Sequence, residues 1–330
     1  MNKKVSIIVG IYNSSEYLRK GLESIQNQTW TNIEVLMMDD GSTDNSSEIC
    51  DEYSEKDSRF IAIHKENSGV CDSRNKGLEL ATGDYVCIMD GDDWLSTDFV
   101  EYMLSLVEKT NAKMVLSDDL FTTRNQIQNE NDYIKIWNSS EAIKSIIYPY
   151  MMLGPWNKLY SMDIIKENNI RFPEHWFGET LHFASEVAHY SGKVGVGHRK
   201  VYNYRLNNTS SGTTQYDVEG RLLSLDNGEK LLEKSFANEK EIINAIKWRI
   251  YVDYFNLVMN IIGSGKKNEY VSHYKTARKY LKKHCFHTFL NSEVNNKEKM
   301  KIIVMAFFPV QFSNWKIKKN KKGLEEDKLL

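Results

Sequence analysis

Asp84-Tyr85-Val86-Cys87-Ile88-Met89 is a short apolar run that opens directly into Asp90-Gly91-Asp92-Asp93-Trp94. A continuous apolar segment of this length, bounded by turn residues, reads as a strand buried on both faces of a sheet. At its exit, three carboxylates fall within four residues, and they repel one another unless a cation or hydrogen-bond donors hold them. A hard divalent ion such as Mg²⁺ or Mn²⁺ takes oxygen ligands and keeps positions open for substrate phosphates. A solvated Asp-rich turn is the plainer alternative. Position favours the metal–diphosphate reading, because a buried strand feeding straight into three acids is costly without a use.

Outward from this segment, the first 120 residues alternate strand and helix. Val5–Val9, Ile33–Met38, Phe60–Ile63 and Lys113–Ser117 read as further strands. The helices between them start near Ser14 or Ser15 with Leu18, Leu22 and Ile25 facing inward, after Asp44 as a cap, and over Val70–Ala81 with Gly83 as C-cap. Phe99–Val107 is a fourth, amphipathic helix. Alternation at this pace predicts βαβ units and a mainly parallel sheet, with ligands at the carboxyl ends of its strands. That edge also receives Tyr12-Asn13 after the first strand and Asp39-Asp40-Gly41-Ser42-Thr43-Asp44 after the second. There Tyr12 can stack on a base, and a carboxylate can accept the imide N–H of a pyrimidine. Each has an ordinary structural alternative, a sheet wall and a capped turn.

The rest of the chain has a different rhythm. Residues 121–140 are rich in Asn, Gln and Asp and read as a surface loop. Helical spacing dominates from 219 to about 290, and the expected boundary lies near 215. The net charge of −2 conceals an asymmetry: residues 1–120 carry 11 Lys and Arg against 23 Asp and Glu, whereas residues 263–323 carry 15 basic residues and 3 acidic ones. An acidic front half argues against nucleic acid as a ligand and suits a bound cation. Four cysteines without CxxC spacing, no apolar run long enough to span a bilayer, and no signal-like start point to a reduced, cytoplasmic protein. His284-Cys285-Phe286-His287 crowds three potential ligands onto one helix, which cannot turn all three to one ion.

The succession Tyr12-Asn13, Ser24-Ile25, Gln28-Thr29, Asp39-Asp40-Gly41-Ser42-Thr43-Asp44, Asn67-Ser68-Gly69, Arg74-Asn75-Lys76-Gly77, Thr82-Gly83-Asp84-Tyr85 and Asp90-Gly91-Asp92-Asp93 resembles the signature of the family 2 glycosyltransferases. The resemblance implies an α/β GT-A fold over residues 1–215, with a nucleotide-binding half (1–120) and an acceptor-side half (121–215). A helical C-terminal extension, 216–330, would serve oligomerisation or peripheral membrane contact. It implies inverting transfer of a hexose or N-acetylhexosamine from a UDP-sugar, with Mn²⁺ or Mg²⁺ as cofactor. The acceptor would be a surface polysaccharide, capsular, lipid-linked or glycoprotein glycan. Carried onto this chain, Tyr12 stacks on the base, Asp40 reads uracil, and Arg74 contacts base or phosphates. Asp92 of the DxD motif holds metal, with Asp90 and Asp93 supporting it or contacting ribose and sugar.

More loosely, Trp156-Asn157-Lys158-Leu159-Tyr160 resembles the stretch leading to the acceptor side, and Tyr202-Asn203-Tyr204-Arg205 with Asn208, Ser210 and Ser211 the segment whose Arg reaches the diphosphate. Where many members carry Glu-Asp, with the Asp as base, this chain has Glu179-Thr180. Glu179 becomes the leading base, with His182 and Glu186 in reserve. The departure keeps open a non-catalytic partner subunit that binds nucleotide-sugar. A sugar nucleotidyltransferase would want a Gly-rich basic loop after the first strand, which Gly10-Ile11-Tyr12-Asn13 lacks. Ile302–Phe308, Trp315 and the lysines at 316, 318, 319, 321 and 322 suit either an anionic membrane surface at the inner face of the cell membrane or a helix docked on the core.

Overall fold

A computed structural model describes residues 3–151, 153–174, 178–208 and 215–327. They divide between two compact units, the first drawn from residues 1–143, 151–176 and 182–206, the second from 144–150, 177–181 and 207–330.

In the first unit, β1 (Val5–Ile11), β2 (Ile33–Asp39), β3 (Phe60–His64) and β4 (Tyr85–Asp90) are linked by α1 (Ser15–Gln26), α2 (Ser46–Lys56) and α3 (Val70–Leu80). β1 pairs in parallel with both β2 and β4, and β2 in parallel with β3. The chain continues through β5 (Trp94–Leu95), α4 (Phe99–Thr110), β6 (Met114–Ser117), β7 (Phe121–Thr122), β8 (Ile134–Asn138) and α5 (Ser139–Ile147). It then adds β9 (Lys158–Ser161), α6 (Met162–Glu167), α7 (Glu179–Ser191), β10 (Lys193–Gly197) and β11 (Tyr202–Tyr204). Among the described residues, one sheet has the order β3-β2-β1-β4-β9-β6-β10-β8 and a smaller one the order β5-β11-β7. β9 is antiparallel to both β4 and β6, and β6 is parallel to β10, so β1 to β4, β6 and β10 end at one edge. The result is the expected α/β architecture, a mainly parallel sheet flanked by helices. Its core is continuous from Val5, Ile7 and Val9 through Met37, Cys87 and Met89 to Leu18, Leu22 and Ile25 of α1.

At the opposite, amino edge, one buried acid ties three strands together. Glu34 of β2 is 6% exposed. Its Oε1 accepts from Ser6 Oγ (2.5 Å) and Thr82 N (2.6 Å), and its Oε2 from Lys4 Nζ and Thr82 Oγ1 (both 2.6 Å). Burial alone would raise this carboxyl, but the Lys4, Ser6 and Thr82 donors override it and hold it at about 2. Ser6 Oγ in turn accepts from Gly83 N at 2.9 Å. Gly83 is therefore not the helix cap that its position suggests: α3 ends at Leu80 with Ala81 extended. A Cβ at Gly83 would meet Ser6 Oγ at 2.6 Å and Lys4 O at 2.9 Å, so close approach to β1 is what requires glycine.

One further expectation changes. Residues 121–140 are not one loop, because β7 opens the stretch and Ile134–Asn138 forms an antiparallel edge strand on β10. Its exposed Ile134 and Ile136 hide the signal that a buried strand gives. Between them, the Gln128 side chain mimics a strand partner, accepting from Lys200 N (2.9 Å) and donating to Lys200 O (2.8 Å). Asn129 adds a bond to His198 O at 2.5 Å.

The second unit contains α8 (Val218–Lys230), α9 (Lys240–Gly263), α10 (Val271–Asn291), α11 (Asn296–Phe307) and α12 (Pro309–Asp327). The long α9 is buried along Ile246, Tyr251, Phe255 and Val258, and Tyr251 OH donates to Ile302 O at 2.9 Å. Ile302, Met305 and Ala306 are buried, so much of the apolar run at 302–308 is core, while Phe307, Phe308 and Trp315 stay exposed. Among the described residues, no helix is long and apolar enough to cross a membrane.

Glu34 sets a pH dependence. A carboxylate held below its unfolded value of 4.5 contributes stability that is complete above that value and lost as pH falls through about 2. Discounted for the partial exposure of Lys4, Glu34→Gln should destabilise the fold at pH 7 by on the order of 2 kcal/mol. Urea unfolding at pH 7, 4 and 3 should show that difference shrinking with acid. Parallel pH profiles for the two proteins would contradict the assignment.

Candidate active site

The carboxyl edge of the sheet gathers acids, and local donors hold most of them. Asp39, 1% exposed, accepts from Ser42 N (3.0 Å) and Ser47 Oγ (2.6 Å) and pairs with His64 Nδ1 (2.8 Å). Burial works against its charge, but these partners prevail and hold the carboxyl below its ordinary value. Asp44 bridges two helix starts: its Oδ2 accepts from Ser15 N of α1 (2.9 Å) and its Oδ1 from Ser46 N of α2 (3.0 Å). It thus does for α1 what Ser14 was expected to do. Ser14 Oγ instead donates to Tyr12 O at 3.1 Å.

Asp40 is 5% exposed and clasps the loop before α3. Oδ1 accepts from Ser68 N (3.0 Å) and pairs with Lys65 Nζ, and Oδ2 accepts from Gly69 N (2.8 Å). A carboxylate offers about four acceptor positions, so one on Oδ2 is left over by these three bonds. Tyr12 is 52% exposed beside it. The next residue, Asn13, has a left-handed backbone (φ 48°), and its side chain accepts from Thr43 N at 2.8 Å, fastening the Tyr12 turn to the Asp40–Asp44 turn.

The loop after β4 treats its three acids differently. Asp90 pairs with Arg74 Nη2 at 2.9 Å, and Arg74 is only 4% exposed, its guanidinium 5.4 Å from the Phe172 ring. Gly91 donates to Gly10 O at 2.9 Å, and a Cβ there would meet the same oxygen at 2.9 Å. The glycine inside the acidic motif therefore lets the loop lie against β1. Asp92 is partly exposed. Asp93 is fully buried, accepting from Tyr202 OH (2.7 Å) and Arg205 N (2.8 Å). Burial, reinforced by Asp92 and Asp90 next door, pushes its carboxyl well above the ordinary range. Asp93 thus anchors the loop from inside, and a ligand contact from it would require this arrangement to open.

Arg205 closes the loop from the other side. Its Nε donates to Asp92 O at 2.6 Å, and its guanidinium lies 4.4 Å from the Tyr17 ring and 5.1 Å from the Trp94 ring. Lys20 Nζ stands 3.4 Å from the Trp94 ring, its ammonium drawn below its usual value by burial and by Arg205. Two cations thus flank one indole at the acidic loop.

The first unit therefore brings Tyr12, Asp40, Arg74, Asp90, Asp92, Asp93 and Arg205 to one edge. Glu179 and Thr180 belong to the second unit. There Thr180 is 2% exposed and its Oγ1 donates to Glu179 Oε1 at 3.2 Å. His182 is buried in α7, and Glu186 lies one turn further on. Ser210 and Ser211 lie outside the described residues.

Lys65, Tyr17 and Lys20 escaped the sequence reading, which names Tyr202 and Trp94 within their motifs without giving them a role. Only their neighbourhood in the motifs could have flagged them, because each acts across a long sequence separation. The Trp156–Tyr160 stretch is structural: Trp156 stacks on Tyr202 (5.2 Å), and Lys158 is buried with Nζ donating to Gly154 O at 2.7 Å. Burial draws that lysine down to about 7. Among the described residues, no group of three or more His, Cys, Asp or Glu is arranged to hold a metal unaided. One or two carboxylates plus substrate phosphates is the usual Mg²⁺ arrangement, and Asp92 fits that donor chemistry.

The family model for glycosyl transferase family 2 matches residues 6–168. The chain is 32% identical over 243 residues to the putative glycosyltransferase EpsH of Bacillus subtilis, covering 68% of this chain and 70% of that protein. It is 31% identical over 217 residues to glycosyltransferase GlyA of Streptococcus pneumoniae, covering 62% of this chain but only 31% of that longer protein. Among solved structures, Staphylococcus aureus TarS 1–349 in complex with UDP-GlcNAc superposes with a TM-score of 0.65 at 18% identity, over 98% of this chain and 90% of that one. The likeness extends the GT-A fold to this protein, and the EpsH match together with the family model shows that the chain belongs to glycosyl transferase family 2.

Proposed function

We propose that this protein is an inverting glycosyltransferase that moves a hexose or N-acetylhexosamine from a UDP-sugar to a glycan acceptor. The observation that carries the reading is the division of labour in the 90–93 loop. Asp90 is paired with Arg74, and Asp93 is buried on Tyr202 OH and the Arg205 amide, while Asp92 stays partly exposed. In this reading Tyr12 offers its exposed ring to the base, and Asp40 uses its remaining acceptor position for the uracil imide. The TarS complex with UDP-GlcNAc supports a UDP-linked donor.

Asp92 would hold Mn²⁺ or Mg²⁺, which supplies positive charge against the leaving diphosphate. Arg205, braced by Tyr17 and Trp94, adds a fixed cation on the same side. Glu179 takes the proton of the acceptor hydroxyl as its oxygen attacks the anomeric carbon. The bond to the diphosphate breaks on the opposite face, which inverts the centre. Residues 1–215 carry this chemistry, on a surface-polysaccharide or lipid-linked glycan made at the cytoplasmic side. Thr180 in place of the usual Asp favours a second reading, a partner subunit that binds nucleotide-sugar without turnover.

UDP release from a panel of UDP-sugars tests the donor assignment. One sugar should be hydrolysed slowly, with activity lost on chelation and reduced roughly 100-fold or more in Asp92→Ala. Release that ignores both chelator and substitution would exclude the metal role. Glu179→Gln should lower transfer by roughly 100- to 10,000-fold while leaving UDP affinity, read by calorimetry, unchanged. Undiminished transfer would move the base elsewhere, and wild-type binding without any turnover would favour the partner-subunit reading.

A further inference from the structure

α10 contains Lys275, Arg278, Lys279, Lys282 and Lys283 and no acidic residue in its 21 positions. Lys275, Lys279, Lys282 and Lys283 are all exposed, and no carboxylate of the described residues lies within ion-pair distance of them. Elsewhere in the same unit several lysines do pair: Lys144 with Glu241 and Glu293 (both 2.8 Å), Lys230 with Asp226 (2.7 Å), and Lys301 with Glu298 (2.5 Å). Like charges three and four residues apart on a helix repel, so this row opposes the helix unless something anionic covers it.

The same row continues as hydrocarbon. Phe286 is 64% exposed and Leu290 72% exposed. At about 100° per residue, Lys275, Lys279, Lys282, Lys283, Phe286 and Leu290 fall within an arc of roughly 100°. The opposite side, Tyr274, Ala277, Leu281 and Cys285, is buried, which fixes the basic and apolar row outward. An open groove of about 600 Å³ runs along the lysines, with Tyr274 and Arg278 on its wall.

We propose that this face of α10 docks on an anionic phospholipid surface, its lysines among the headgroups and Phe286 and Leu290 in the acyl boundary. A soluble polyanion would satisfy the lysines but leave Phe286 and Leu290 in water. An acidic protein face would meet charge without needing two unbranched rows to merge end to end. A bilayer interface takes both in the order the helix presents them. The surface differs from the 302–308 run, whose Ile302, Met305 and Ala306 are committed to the core. It does not depend on the donor or the base proposed above.

The test is co-sedimentation of the full chain with vesicles of phosphatidylcholine alone or with about one-third phosphatidylglycerol. The wild type should partition onto the anionic vesicles only, and less at high salt. Replacing Lys275, Lys279, Lys282 and Lys283 together by Gln should weaken partitioning roughly 10- to 100-fold. F286S/L290S should weaken it roughly tenfold with the salt dependence kept. Melting temperatures and UDP-sugar binding, compared in all variants, separate loss of docking from loss of fold or of the donor site. Equal partitioning of the four-Gln variant, or no vesicle binding by the wild type, overturns the proposal. Tight polyphosphate binding that is indifferent to F286S/L290S, or a dimer that the four-Gln variant abolishes, also overturns it, in favour of a soluble polyanion or a second copy.

Discussion

Carboxylates collected at one edge of a sheet repel each other, and this structure depends on how each is answered. The parallel strands β1, β2 and β4 all end where Asp39, Asp40, Asp44, Asp90, Asp92 and Asp93 cluster. Asp39, Asp40 and Asp44 are met mainly by backbone amides and hydroxyls, from their own turn, from the loop before α3 and from the start of α1. Asp90 is met by a buried arginine, and Asp93 by burial itself, which favours the protonated form. The turns are consequently shaped by the acids rather than decorated with them. Removing one acid leaves buried donors behind, a loss of about 1–3 kcal/mol for each unsatisfied group.

That arrangement also prepares the edge for a ligand. The Asp40 clasp on Ser68 and Gly69, the Asn13 bond to Thr43 and the Gly91 contact with Gly10 fix the loops in the chain alone. A donor meeting such an edge orders little that is not already ordered, so more of its contact energy appears as affinity. At the other end of the same strands, Glu34 performs the matching task. It joins β1, β2 and the start of β4 through four donors, so the strands are pinned at both ends.

Much of this was legible in the sequence because it follows from local rules. Buried strands such as Val5–Ile11 and Tyr85–Asp90 announce themselves by continuous apolar residues, and the acids at their exits mark the edge. Legibility failed where a residue answers to a distant partner. Asp93 looks like its neighbours Asp90 and Asp92, and only Tyr202, more than a hundred residues on, shows that it points inward. Gly83 reads as a helix stop, whereas its constraint is contact with Ser6. Ile134–Asn138 was hidden because an edge strand needs only one partner and leaves its side chains in water. The run at 302–308 was ambiguous because burial on α9 and burial in lipid ask for the same residues.

The attachment of the 123–133 segment has a consequence of another kind. It includes two side-chain amides, Gln128 on the Lys200 backbone and Asn129 on His198 O, beside Asp132 on Tyr102 OH (2.9 Å) and Lys200 Nζ on Ile127 O (3.0 Å). An amide can donate and accept at once, and that dual capacity is what lets one side chain imitate a strand. Amides also hydrolyse spontaneously over long times. The product carboxylate keeps the acceptor but has no N–H, so it would face the carbonyls of Lys200 and His198 with like polarity. Two of the segment's fastenings therefore have a chemical shelf life, and an aged population would be loosened at Gln128 and Asn129 while Asp132 and Lys200 Nζ still held the segment.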